Sequence, residues 1–291
     1  MSVAAPPAAA GAAAGNDRAG NDRPLGLAVS AYWIAFFSYR EMVRRRRILS
    51  VGLLMLLPVV LAVAWRLLDR EGAIPPELLL ANLSGMVYIH FMVAIVSLAF
   101  GLSAIGESAD EGTIIYYWTR PLRREAIYLG RLVAAQAVAG LLVAGSLVAA
   151  FLVMTVGNFG IISLDFLKLY VSTCLVILFG AVVYTAIFAA VGTWLKKPML
   201  PAILFAFGWE SIGGNAPLRL QELTVVFHLR NLLHNSAAST GSMPNLLQEL
   251  KVMLLHEVPP SPWHSFLVLL AVAVVAFALG CWLLRRKEIF R

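Results

Sequence analysis

Long uninterrupted apolar runs are the feature that most restricts how this chain of 291 residues can fold. Five runs are each as long as the roughly 20 residues that a helix needs to cross the hydrocarbon core of a membrane. Hydrophobic residues make up 60% of the chain and charged residues only 13%, which is outside the usual range of a soluble domain. The pattern predicts an all-α polytopic membrane protein. The five predicted spans are residues 48–68, 79–105, 127–156, 169–195 and 266–284.

A sixth apolar run, residues 199–212, is too short to cross by itself. At 1.5 Å per residue, its ~14 residues reach about 21 Å, against a core of about 30 Å. The run either includes flanking residues or turns back partway. Counting it gives six transmembrane helices and puts both termini on one side of the membrane.

Basic residues predict which side that is. Of the lysines and arginines outside the tail, 15 flank the span ends that would face the cytoplasm and 6 lie on the opposite side. Because cytoplasmic loops carry an excess of lysine and arginine, both termini are predicted to be cytoplasmic, in the inner or plasma membrane of a prokaryote. The same rule accounts for the net charge of +7, so we expect no nucleic-acid partner. Membrane lipids are expected to surround the chain.

Three segments lie outside the spans, in a chain that we divide into a disordered tail (1–24) and a six-span permease domain (25–291). Residues 27–47 place aromatic side chains on one face, with Ser30 and Ser38 opposite, which predicts a helix lying in the inner membrane interface. The alternative is a plain extension of the first span. Residues 213–261 contain two amphipathic patterns, 218–233 and 246–255, which predict outer-surface or re-entrant helices. The aromatic face comprises Tyr32, Trp33, Phe36 and Phe37, next to Val29.

Motifs for catalysis by this chain are incomplete. Residues 101–108 match a phosphate-binding loop except at the lysine, where Glu107 would repel the phosphates. His256 and Glu257 begin like a zinc-protease helix, but Pro260 replaces the second histidine. We therefore expect no ATP site, no metal and no enzymatic activity in this chain. Cys174 and Cys281 lie inside apolar runs and are expected to be packing residues.

The segment 107–122 interrupts the apolar runs and is the strongest functional signal. Ser108 and Glu111 have the spacing of a capping box, so a short helix is predicted to start at Ser108 and to stop before Pro121. Its body, residues 113–118, is apolar nearly all round. A helix this short and this apolar is expected to rest on lipid headgroups or to dock against a cytoplasmic partner.

The segment resembles the membrane permeases of ABC transporters of the type-two export class. In that family a glutamate closes the second span, a Gly-Thr pair follows, and a turn containing proline leads into a basic third span. The family often has a basic residue just before the Gly-Thr pair, where this chain has Glu111. The residues that carry the resemblance are Glu107, Glu111, Gly112, Thr113, Thr119, Arg120, Pro121, Arg123 and Arg124.

The resemblance implies that residues 107–122 form a coupling helix seated in a groove of a separate ABC ATPase subunit. Tyr116, Tyr117 and Trp118 would be the buried anchors, and Glu107 and Arg120 would orient the helix. Two ATPase copies would serve a dimer of permeases, formed with a second copy or a sister permease. ATP and magnesium would be bound by the ATPase subunits.

Polar groups inside apolar spans are candidates for a substrate pathway, because burying them in a membrane is costly. Asn82 and His90 in the second span and Glu210 near the end of the fifth are the candidates, and the resembled family places these two spans beside the pathway. Equally, Glu210 could reach the headgroups and His90 could be a packing residue. Pro58 predicts a kink in the first span.

The leading function is thus the permease subunit of an ATP-driven exporter. One alternative is the same machine driving an assembly or maturation process rather than export. Another is a stand-alone secondary transporter with Glu210 and His90 as a proton relay; it would be expected to carry paired internal repeats, and no convincing repeat is found. The sequence does not identify the substrate.

Overall fold

A computed structural model describes residues 27–44, 46–68, 76–110, 124–156, 163–195, 197–213, 218–239 and 260–286. Within these ranges the chain is helical and has no strand. The helices in chain order are α1 (Leu27–Arg44), α2 (Arg47–Leu54), α3 (Leu57–Leu68), α4 (Pro76–Asn82), a π-helix (Leu83–Met92), α5 (Val93–Asp110), α6 (Arg124–Thr155), α7 (Leu164–Trp194), α8 (Met199–Ile203), a second π-helix (Leu204–Trp209), α9 (Glu210–Gly213), a 3-10 helix (Leu218–Leu223), α10 (Val225–Ser239) and α11 (Pro262–Arg286).

Five helical stretches are long and apolar enough to cross a membrane, and they coincide with the five predicted spans. Each begins a few residues before its predicted start. The sixth predicted span is helical from Met199 to Gly213, but its apolar part, Met199–Trp209, is shorter than the others. The five spans are Arg47–Leu68, Pro76–Ile105, Arg124–Thr155, Leu164–Trp194 and Pro262–Arg286.

The fourth span, α7, packs against the second, third and last spans and lies at the centre of the helix bundle. Its closest neighbour is α5, and glycines allow the approach. A Cβ atom on Gly101 would lie 2.8 Å from the Cβ atom of Phe188, and one on Gly192 would lie 3.0 Å from the Leu102 carbonyl oxygen. The second and fourth spans are therefore in backbone contact.

The first span is broken into α2 and α3 at Met55–Leu56, just before the predicted kink at Pro58. Proline lacks the N–H group that would continue the helical ladder. At the break, the Ser146 hydroxyl of the third span donates to the Met55 carbonyl (2.7 Å) and is 2.9 Å from the Tyr88 hydroxyl of the second span. One polar node thus joins the first three spans.

Helix α1 packs along the start of the third span. Gly130 lies so close that a Cβ atom there would be 2.7 Å from the Ala31 carbonyl oxygen. The aromatic face, including Tyr32 (66% exposed) and Phe37 (59%), points away from the bundle, as expected of an interfacial helix. The opposite face, with Ser30 and Ser38, is buried against protein rather than facing water. Location in the interface itself stays a prediction.

Tyr128, on the third span, is completely buried beneath the last span. Its ring packs against Phe277, with centroids 5.6 Å apart, and its hydroxyl occupies the place that a side chain on Gly280 would take. The third and last spans are joined by this contact.

Several predicted features fall outside the described residues. These are the tail 1–24, the pattern 246–255 and most of the segment 107–122. The pattern 218–233, predicted as one amphipathic helix, is instead a 3-10 helix followed by α10, with the break at Thr224.

Candidate functional site

Glu210 is buried (2% exposed) where the fifth apolar helix ends. Its carboxylate oxygens accept hydrogen bonds from the backbone N–H groups of Val225 (3.3 Å) and Val226 (3.0 Å). The Thr224 hydroxyl oxygen accepts from the next amide, that of Phe227, at 3.4 Å. The first N–H groups of a helix have no partner inside it, so these acceptors cap α10.

The position of α10 explains why an acidic cap occurs here. Leu229 packs on Gly180, near the middle of the 31-residue helix α7. The N-terminus of α10 therefore lies beside the middle of a membrane-spanning helix, where its unpaired N–H groups and positive dipole end require a partner. The hydroxyl of Tyr184 lies near the same carboxylate, at a geometry that falls short of a hydrogen bond.

His90 lies in the first π-helix and contacts Arg230 of α10. The Arg230 Nη2 atom is 3.0 Å from His90 Nε2 and 3.3 Å from Nδ1. An in-plane hydrogen bond reaches only one ring nitrogen, so the guanidinium lies over the imidazole face. Of the three predicted pathway residues, His90 and Glu210 thus both contact α10, whereas Asn82 is exposed at the end of α4.

The two π-helices are adjacent at their aromatic side chains. Phe91, which follows His90, lies 6.2 Å from Phe207 between ring centroids. π-Helical turns are rare and occur frequently at functional sites. Here they occupy both predicted pathway spans.

A second buried polar cluster joins α10 to the start of the last span. His228 Nε2 is 2.9 Å from the Glu222 carbonyl oxygen, so this nitrogen must carry a proton, and in the neutral ring Nδ1 is then the acceptor. The Ser265 hydroxyl donates to Nδ1 (3.2 Å) and accepts from Asn231 Nδ2 (2.8 Å), which also reaches the Pro260 carbonyl (2.8 Å). Burial lowers the pKa of His228, so the neutral ring that this network needs is favoured.

The helix ends that flank the segment 107–122 are held together by a buried arginine. Arg131 Nη1, on the third span, donates to the Ala104 carbonyl of α5 (3.1 Å), and Nη2 is 3.7 Å from Glu41 of α1. Arg285 of the last span forms an ion pair with Glu125 at the start of the third. Four helices are therefore braced beside this segment.

The structure places the start of this segment differently from the prediction. Helix α5 continues without a break to Asp110, so Ser108 lies inside a helix and is not the N-cap of a new one. When an existing helix continues, each new N–H group forms a hydrogen bond within that helix. This is more favourable than starting a new helix with a local cap. Of the predicted coupling residues, Glu107 belongs to α5. The remaining ones lie outside the described residues: Glu111, Gly112, Thr113, Tyr116, Tyr117, Trp118, Thr119, Arg120 and Pro121.

Sequence analysis missed the roles of several polar residues. Arg131 and Arg230 entered it only as members of the charge count, and His228 had no predicted partner. Their partners are distant in sequence, so no local spacing signals them. Within the described ranges, no group of three or more His, Cys, Asp or Glu side chains could hold a metal ion. The residues that sequence reasoning missed are Arg131, His228, Arg230, Asn231 and Ser265.

Five apolar helices, with a polar centre buried among them, define a multi-pass α-helical membrane protein. A family model described as "ABC-2 family transporter protein" matches residues 42–209. The match covers more than half of the chain, from the end of α1 to the end of the second π-helix, so the chain belongs to the ABC-2 transporter family. This family implies an ATPase partner in general. A search of curated proteins gave no match.

Proposed function

We propose that this chain is the membrane-spanning subunit of an ATP-driven exporter, in which a separate ATPase subunit supplies the energy. The observation that carries the proposal is the family match over residues 42–209. ATP and magnesium bind to the ATPase subunits, and this chain has no catalytic role. The machine contains two ATPase copies and two permeases, either identical or sister chains, in a prokaryotic inner or plasma membrane with both termini in the cytoplasm.

In this proposal the coupling helix lies within residues 107–122, after α5 ends at Asp110, and the braces around the segment transmit its movement. Arg131 ties the end of α5 to α1 and the third span, and Arg285 ties the last span to Glu125. A displacement of the segment by the ATPase therefore acts on several helices together. Tyr116, Tyr117 and Trp118 are the proposed anchors in the ATPase groove.

The contacts within the bundle do not favour a stand-alone proton relay. Glu210 is engaged by the N-terminus of α10, and His90 by Arg230. Each group thus has a partner on α10. The alternative is an ABC-type permease that drives an assembly or maturation process at the membrane surface. It would use the same coupling segment and would differ from an exporter in its substrate.

Co-purification with the ATPase tests the docking. The full chain is expressed together with a candidate ABC ATPase subunit, and the complex is isolated through a tag on the permease. Tyr117→Ala combined with Trp118→Ala is expected to leave the permease inserted but to release the ATPase. Trp263→Ala, which removes an exposed aromatic side chain at the start of the last span, is the matched control. Unchanged co-purification of the double variant would contradict the assigned docking surface.

A further inference from the structure

Arg230 and His90 form a cationic centre beside the predicted pathway spans. We propose that this centre binds the anionic headgroup of an amphiphile, a phosphate or a carboxylate attached to an apolar tail. The inference rests on the proposed function and names the chemical class of substrate that the exporter would move.

The position of the pair is the first argument. His90 lies 14 residues after Pro76, the first residue of a 30-residue span, and Arg230 reaches it from α10. The pair is therefore near the middle of the second span. An arginine at such depth is costly, and ionisable groups inside a membrane mark substrate or ion pathways.

The chemistry of the pair is the second argument. A guanidinium is permanently charged and presents five N–H donors in a planar fork that matches phosphate and carboxylate oxygens. Its contact with His90 is made through Nη2. The imidazole adds hydrogen-bonding capacity at the same place.

The apolar surroundings are the third argument. Met86 and Phe91 belong to the same π-helix as His90, and they are 65% and 48% exposed. They are five residues apart, which is the hydrogen-bond spacing of a π-helix, so they lie on one face with His90. A cation beside exposed apolar surface fits a ligand with a charged head and an apolar tail.

The contacts of Glu210 are the fourth argument. A helix N-terminus buried among membrane-spanning helices can itself bind an anion. In this chain Glu210 occupies the N-terminus of α10, so a ligand anion that contacts α10 would be recognised further along the helix. Arg230 lies on that next stretch of α10. Leu229, just before it, packs on Gly180, and Leu233, three residues after it, packs on Gly85.

Equilibrium binding to the purified full chain in a neutral detergent tests the proposal. The first probe is dodecyl phosphate, and dodecylphosphocholine, with the same tail and no net charge, is its comparator. A second arm reconstitutes the chain in nanodiscs with phosphatidylglycerol or phosphatidylcholine and measures the lipid retained on the protein. The arm that depends on Arg230 identifies the source of the headgroup, a free amphiphile or a bilayer lipid.

Arg230→Gln is expected to weaken dodecyl phosphate or phosphatidylglycerol binding about tenfold, equivalent to about 1.4 kcal/mol. Arg230→Lys keeps the charge and is expected to retain most of the affinity, whereas His90→Gln loses a smaller part. The matched control is Arg66→Gln, which removes the same charge at another place. Arg66 lies near the end of the first span and donates to the Val153 carbonyl of the third span. The comparator probes are expected to be insensitive to all four changes.

Equal binding by Arg230→Gln and the unchanged chain in both arms overturns the proposal. An equal loss in Arg66→Gln also overturns it, since that result means attraction by overall charge. If Arg230→Gln fails to fold, His90→Gln takes its place, and equal binding by His90→Gln and the unchanged chain in both arms then overturns the proposal. No ATPase is present in this experiment, so failure of the anion site and failure of the proposed ATPase docking are observed separately.

Discussion

The Glu210 carboxylate accepts the backbone N–H group of Val226 at 3.0 Å and thereby joins the end of the fifth apolar helix to the start of α10. Fifteen residues separate the first Glu210 contact, Val225, from the glutamate in sequence. The cap is therefore a tertiary contact, unlike the local cap that Thr224 provides for Phe227.

Glu210→Ala is expected to lower the free energy of unfolding by about 1–3 kcal/mol, because buried N–H groups lose their acceptor. Glu210→Gln keeps one acceptor oxygen and is expected to cost less. Thermal unfolding of the purified chain in detergent measures both. The control is Asp165→Ala, since Asp165 is exposed and its ion pair with Lys168 contributes about 0–1 kcal/mol. Equal stability of the two alanine variants would argue against the cap.

Arg131→Gln is expected to destabilise the chain more than Glu41→Gln. Arg131 is buried (4% exposed) and donates to the Ala104 carbonyl, whereas the Glu41 side chain is 44% exposed and its attraction is screened by water. A double-mutant cycle is expected to give a coupling of at most about 1 kcal/mol between the two side chains. Under the proposed function, Arg131→Gln also weakens ATPase stimulation by the permease while the ATPase remains bound. If Arg131→Gln stimulates the ATPase as strongly as the original chain does, Arg131 does not take part in coupling.

Gly101→Ala and Gly145→Ala are expected to change stability in opposite directions. A Cβ atom on Gly101 would be 3.0 Å from the Thr185 carbonyl oxygen and 2.8 Å from the Phe188 Cβ atom, neither of which can rotate away. A Cβ atom on Gly145 meets nothing within 4 Å. Alanine gains about 1 kcal/mol over glycine in a helix, so only the Gly145 variant is expected to be stabilised. Unfolding temperatures that rise in both variants would contradict the close packing of the second and fourth spans.

The stability of the chain is expected to fall as the pH drops below about 6.5, the ordinary pKa of histidine. The pKa of His228 is lowered by burial, so the unfolded chain binds its proton more readily than the folded one. The stabilisation is full above the unfolded pKa and decreases as the pH falls towards the folded one. Among the described residues, the other charged or titratable groups acting on His228 are Glu222 and His264.

His228→Gln isolates this effect. Unfolding temperatures between pH 5 and pH 8 are compared for the variant and the original chain, with His264→Gln as the exposed-histidine control. The variant is expected to lose part of the decrease at low pH, and His264→Gln to retain most of it. Identical pH profiles in the original chain and in His228→Gln would show that the network around Ser265 tolerates a charged imidazole.

The spans were predictable from the sequence because hydrophobic run length is a local signal, and five of the six predictions coincide with described spans. The kink near Pro58 was also predictable, since proline acts on its own helix. The partners of Glu210, His90 and Arg131 were not, because each contact joins elements far apart in the chain. Ser108 shows that a local pattern can also mislead. The spacing of a capping box is present there, but the preceding helix continues through Ser108.

The burial of Tyr128 has a consequence for biogenesis. Its hydroxyl fits only where residue 280 has no side chain, and Gly280 belongs to the span Pro262–Arg286, which is synthesised after the third span. The third span is therefore expected to reach its final packing at Tyr128 only after the span Pro262–Arg286 has docked. Chains truncated before residue 262 are expected to lack the cover that this span gives to Tyr128.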